Sequence, residues 1–246
     1  MSSMPQPRSV QTLARTSGLL YLVIIVIGLL GEGLVRANLV VGGDPAATAH
    51  NILAAEFTWR LGVAGQIVLL ACAVAMTWTW YLLLRPVDRA LAMLAIFFAL
   101  ISLAVESVGA LHLQAVLAPL TGSAFVQIAE PQQAYAMAYL SVVAHANAFG
   151  LALVFFGIER LIVGHLIRRS GYLPKAVGMM MQVAGACYLV NSLSMVLFPS
   201  LQAMLFPLIL LPSLVGESAF CLWLLIKGVD MDGWQARTAD EALNRA

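Results

Sequence analysis

Six apolar stretches, at roughly 16–36, 58–84, 88–118, 133–165, 174–198 and 203–227, decide what this chain can become. A helix that crosses the hydrocarbon core of a bilayer needs about 20 mainly apolar residues, and each stretch has that length. A soluble fold cannot absorb them. Of the 246 residues 61% are hydrophobic and 10% charged, whereas soluble domains are about half apolar and about a quarter charged. The mean hydropathy is +0.91. Inside lipid every backbone polar group must be satisfied within its own segment, which selects helix. The expected fold is therefore all-α, a polytopic bundle of six transmembrane helices over residues 1–228, with a short, loosely ordered polar cytoplasmic tail over 229–246. The third and fourth stretches exceed one span, so they tilt, project beyond the bilayer or contain a break.

Positive charge orients the bundle. Counted by loop, 11 of the 13 Lys and Arg fall on one side, and the connection after the fourth stretch contributes Arg160, Arg168, Arg169 and Lys175. Only Arg36 and Arg60 fall on the other side. Basic loops stay in the cytoplasm, so both termini are expected there, in a cell inner (plasma) membrane. The first stretch follows Arg8 and Arg15 as a signal peptide would, but no small-residue cleavage site follows it, and it reads as an uncleaved helix. Cys72, Cys187 and Cys221 all lie in apolar runs, are odd in number and form no CxxC motif. They read as buried thiols, not as disulfides or metal ligands. A net charge of +1 without a basic run excludes a nucleic-acid binder.

The hairpin between the first two stretches carries two Glu–Arg pairs, Glu32 with Arg36 and Glu56 with Arg60, each spaced for one face of a helix. Between them lies a Gly43-Asp44-Pro45 turn, in which Asp44 can cap a helix that starts at Pro45. Ionisable groups within a span are costly and mark candidate sites. Placed by depth, Glu32, Arg36, Arg60, Glu106, His112, His145, Asn191 and Glu217 describe a polar pocket open to the outer side. Glu106 or Glu217 would floor it and the hairpin would act as its lid. Each of these residues also has a structural reading, as an interfacial pair or an interhelical hydrogen bond. No HExxH, GxSxG, GxGxxG or P-loop occurs. No metal or cofactor is expected.

Glu32-Gly-Leu-Val-Arg36, the Gly43-Asp44 turn, Ala49-His50-Asn51-Ile52 and Arg60-Leu61-Gly62 resemble the outer hairpin of membrane proteins grouped under domain of unknown function 4386. Gly171-Tyr172-Leu173-Pro174 with Gly178, Gly185 and Tyr188-Leu189 are similar to that family's fifth-helix segment. Glu217, Leu222-Trp223-Leu224-Leu225 and Lys227-Gly228 are similar to its last helix. The resemblance implies a six-helix bacterial membrane protein without a settled activity, so it supplies no mechanism. One departure is Glu159, which follows Phe155-Phe156-Gly157 where relatives commonly have a histidine. A histidine-dependent role at that position does not carry over to this chain.

The repeated Gly18-x-x-Tyr21-Leu22-Val23 and Gly185-x-x-Tyr188-Leu189-Val190 pair the first and fifth helices in one orientation, which is not an inverted transporter repeat and reads as chance or shared packing chemistry. The expected function is an integral membrane protein that binds a small molecule or lipid in the outer pocket. Alternatives are a membrane-embedded enzyme or haem protein, a proton-coupled transporter in which Glu217 changes protonation, and a structural subunit. Expected partners are the lipid bilayer and the small-molecule or lipid ligand, with association of the chain with itself left open.

Overall fold

A computed structural model describes residues 7–122 and 130–243 of the chain. The described residues form helices and turns without strands: α1 (Pro7–Leu30), α2 (Pro45–Ala54), α3 (Glu56–Leu84), α4 (Arg89–Ala115), α5 (Pro131–Ser170), α6 (Lys175–Leu197), α7 (Leu211–Ile226) and α8 (Met231–Leu243). Six helical stretches are long and apolar enough to cross a membrane: Val10–Leu39, Glu56–Leu84, Arg89–Thr121, Pro131–Ser170, Lys175–Leu197 and Leu208–Ile226. They reproduce the six expected spans. The protein is a multi-pass integral membrane protein.

The spans pack in chain order, α1 on α3, α3 on α4, α4 on α5, α5 on α6 and α6 on α7. Contact between α7 and α1 closes the ring. The flanks that face away carry large apolar side chains such as Leu140 and Ile226, each 67% exposed, which suits contact with lipid. The overlong fourth stretch is one continuous helix. At 40 residues and about 1.5 Å per residue, α5 is roughly twice as long as the hydrocarbon core is thick. The sixth span starts later than expected. Pro199–Leu205 forms a short helix, and the chain turns at Phe206 and Pro207 before α7 begins. Pro207 has no N–H to continue the helical ladder.

Glycines set the closest approach in the ring. A Cβ on Gly157 would lie 2.9 Å from the carbonyl oxygen of Gly185, and one on Gly178 would lie 2.7 Å from that of Gly164. Antiparallel α5 and α6 therefore touch backbone to backbone at two places two turns apart, as small residues permit in membranes. Hydroxyls and a thiol tie other neighbours together. Ser102 donates to the Ala152 carbonyl at 2.9 Å, Ser213 to the Ala184 carbonyl at 3.1 Å, and Cys221 to the Gly18 carbonyl at 3.3 Å.

The two ends of the bundle differ. At one end the hairpin folds into α2, capped by Asp44, whose carboxylate accepts from the Ala47 N–H at 2.9 Å. Ile52 and Ala49 of α2 are buried in a small core with Trp59, Leu113 and Val142. The Gly43 N–H donates to the Tyr139 hydroxyl at 2.7 Å, and the Trp59 indole N–H donates to the Leu113 carbonyl at 3.0 Å. This is the hairpin end. The other end gathers the start of α1, the 85–88 turn, the 171–174 turn and the segment after α7.

That last segment corrects an expectation. The described part of the polar tail is not loosely ordered, because residues 231–243 form α8, which docks through Trp234 and Arg237. Trp234 is buried against Tyr172 with ring centroids 5.0 Å apart, and Arg237 donates to the Val87 carbonyl at 3.1 Å. Gln11 adds two bonds, donating to the Lys227 carbonyl at 2.8 Å and accepting from the Val229 N–H at 3.1 Å. The tail's low hydropathy concealed a single tryptophan anchor.

Candidate functional site

The structure brings five of the eight expected site residues to the hairpin end and leaves Arg60, Asn191 and Glu217 apart from them. At the hairpin end, α1 continues into a wider π-helical turn, Gly31–Arg36, of the kind often found at functional positions. Within that turn the Arg36 guanidinium donates to the Glu32 carboxylate at 2.6 Å. Glu32 is exposed, while Arg36 is only 18% exposed and acts electrostatically on both Glu106 and His145. Glu106 on α4 accepts from the amide of buried Gln66 on α3 at 2.8 Å. His145 on α5 is buried and places Nδ1 3.1 Å from the Gly109 carbonyl of α4. His112, half-buried on α4, lies within electrostatic reach of His145. Arg36, Glu106, His112 and His145 thus converge from α1, α4 and α5, with Gln66 from α3.

The other expected residues do not join them. Arg60 pairs with Glu56 at 2.7 Å, and the two side chains are 57% and 37% exposed, turned outward beside buried Trp59. Half of the hairpin therefore stands over the polar group and half faces away from it. Asn191 is buried on α6 with its Oδ1 unpartnered by protein, and its backbone carbonyl accepts from Ser194 at 2.9 Å. Glu217 does not floor the same pocket as Glu106. It lies deeper, towards the termini end, beneath a different partner.

That partner is Arg160, which sequence reasoning assigned to a basic loop. That assignment fails because α5 runs ten residues past Arg160 to Ser170, so the backbone at Arg160 lies about 15 Å inside the helix end. Arg160 is 1% exposed. Its Nε donates to Glu217 of α7 at 2.9 Å, and its Nη1 donates to Glu159, its chain neighbour. Aromatic rings surround it, with the guanidinium carbon 3.7 Å from the Phe156 centroid, 4.7 Å from that of Trp80 and 5.6 Å from that of Tyr21. Each desolvated cation–π contact contributes on the order of 1–2 kcal/mol. The Tyr188 hydroxyl of α6 reaches towards Glu217 and Ser213. Side chains of α1, α3, α5, α6 and α7 therefore meet on one guanidinium at the centre of the ring.

A buried ion pair holds only when its geometry offsets the loss of hydration, and removing one partner is far more damaging than replacing both. Two carboxylates share one cation here. The centre joins α5 to α7 through charged hydrogen bonds, while the hairpin end holds both signs of charge, an amide and an imidazole. Taking Arg160 out of the loop count leaves ten Lys and Arg against two, so the charge bias persists. The signal that could have found Arg160 is its place beside Gly157 and Gly164 at helical spacing, on the face that packs against α6.

Two cavities border these places. One of about 10 Å³ between α3, α4 and α5 touches Trp80 and Glu159. Another of about 280 Å³ opens between α3 and α4, lined by Val63, Ile67, Leu70, Ser107, Ala110, Leu111 and Gln114. None of the eight expected site residues lines the larger one, although it flanks the Gln66–Glu106 pair. Among the described residues, no group of three or more His, Cys, Asp or Glu is placed to hold a metal ion.

The chain is similar to a protein of Archaeoglobus fulgidus described as uncharacterized, with 24% identity over 166 residues, 68% of this chain and 83% of that one. No solved structure matches it significantly. The sequence profile of a domain of unknown function, DUF4386, matches residues 16–228, a stretch that begins inside α1, ends just past α7 and holds both polar centres, and the chain belongs to that family.

Proposed function

We propose that this membrane protein binds a small amphipathic molecule or lipid at its hairpin end. Arg36, Glu106, His112 and His145 would face the polar part of the ligand, and the apolar crevice between α3 and α4 would take its tail. The observation that carries this reading is the convergence of Arg36, Gln66, Glu106 and His145 from four spans beneath a π-helical turn. Local widening of a helix where charge enters an apolar surface is a common mark of a binding site. Ligand sites combine apolar walls with a few polar groups, and this end of the bundle has both. Arg60 and Asn191 belong to the rim and the neighbouring helix in this reading, and Glu217 to a separate centre.

The charge bias supports a plasma-membrane orientation with both termini cytoplasmic, which puts the hairpin end outside. A paired set of C-terminal fusions, one active only in the cytoplasm and one only outside, tests that orientation directly. For the ligand, native mass spectrometry of protein extracted from membranes is the first experiment. The expected result is a bound species that is lost or strongly reduced in Arg36→Ala and Glu106→Ala while folding is kept. An identical bound population in the parent and both variants overturns the reading.

A further inference from the structure

The centre of the ring carries an inference that does not depend on the hairpin-end ligand. Arg160 supplies one positive charge, and Glu159 and Glu217 both bond to it. The three residues are 1%, 3% and 8% exposed. The groups that face them are Tyr21 from α1, Trp80 and Tyr81 from α3, and Tyr188 from α6, while α4 brings only alanines and an isoleucine to the adjoining cavity. Among the described residues neither carboxylate forms an ion pair with any cation but Arg160. With both ionised, the cluster would keep an uncompensated negative charge in the apolar interior, which proteins avoid by protonation. We propose that this cluster is a buried proton-binding site, in which Glu159 and Glu217 share one proton about the Arg160 guanidinium.

Binding moves a proton from hydronium to one carboxylate oxygen and releases a water, and the cluster charge goes from −1 to zero. Release reverses both changes. The geometry offers a place for the exchange: the cavity beside Glu159 has a volume of about 10 Å³, roughly that needed to seat one water. Arg160 Nη2, the Tyr21 hydroxyl and the Trp80 indole N–H are buried polar groups without a protein partner in the same neighbourhood. Two acids around one base, with spare donors beside them, make a site for a proton and its carrier water.

Infrared spectroscopy of the full-length protein in lipid nanodiscs tests this at neutral pH. A protonated carboxyl group has a C=O stretch that an ionised carboxylate lacks, and the band shifts when the sample is moved from H₂O to D₂O. Glu106→Gln removes the hairpin-end carboxyl separately and identifies its contribution. The expected result is one further deuterium-sensitive band that disappears in Glu159→Gln and also in Glu217→Gln, because each variant leaves one carboxylate for one guanidinium. Absence of that band from the parent protein overturns the proposal, as does its survival in either variant. Should either variant fail to fold, Glu159→Asp keeps the acid and must shift the band, and an unshifted band is equally fatal.

Discussion

Glu56–Arg60 and Arg160–Glu217 are both Glu–Arg pairs at hydrogen-bonding distance, yet they do opposite work. The first joins residues four apart on the surface of α3, with both side chains substantially exposed. The second joins residues 57 apart on α5 and α7 and lies at the centre of the ring. An exposed pair gains little because water and salt screen it. In the buried pair the guanidinium is the indispensable partner: losing Arg160 leaves Glu159 and Glu217 without a cation where nothing hydrates them, whereas losing Glu217 leaves Arg160 with Glu159. Spacing along the sequence reveals the weak pair and hides the strong one.

That contrast can be broken by substitution. Arg160→Ala carries the largest expected effect, a loss of about 3–5 kcal/mol in reversible unfolding from mixed micelles; a loss no greater than that for Arg60→Ala would erase the distinction between centre and surface. Gly157→Ala comes next. Its Cβ meets the Gly185 carbonyl oxygen at 2.9 Å, and prising α5 from α6 beside Arg160 is expected to cost about 1–3 kcal/mol in the same assay. A neutral result there would show that the helices give way freely. Trp59→Phe removes the indole bond to the Leu113 carbonyl, with an expected cost of about 1 kcal/mol. Faster amide exchange across α2 in this variant would confirm that the bond fastens the hairpin, and unchanged exchange would deny it. Arg60→Ala should shift stability by about 0.5 kcal/mol or less, and less still in high salt. A salt-insensitive cost above 2 kcal/mol would mean that this pair is not the surface feature described.

Much of the fold is legible because lipid imposes it. Twenty apolar residues in a row have few alternatives, and Asp44 before Pro45 announces the start of α2 in local chemistry alone. The local pairs Glu32–Arg36 and Glu56–Arg60 are legible for the same reason. Arg160 was hidden because three other basic residues follow it within 15 positions, so that it resembles the first member of a cytoplasmic cluster. Only the unbroken length of α5 reassigns it. The partner of Glu217 could not be read, because the closure of α7 onto the rest of the ring is a tertiary event without a local signature. The matched Gly-x-x-Tyr segments, in contrast, have gained a physical meaning. Gly18 lies against α7 and Gly185 against α5, while Tyr21 and Tyr188 both reach the central cluster. Similar packing tasks, carried out on two helices, account for the echo without any repeat.

The same separation along the chain has a consequence for biosynthesis. Glu217 is made 57 residues after Arg160, an interval of roughly 3–11 seconds at ribosomal speeds of about 5–20 residues per second. During that time a nascent α5 has to enter the membrane with a guanidinium whose distant partner does not yet exist. Glu159, already translated and adjacent, is the carboxylate at hand, and Tyr21 and Trp80 have already been made. The acidic neighbour that gives the finished centre its second carboxylate is thus also the escort that accompanies Arg160 until α7 arrives.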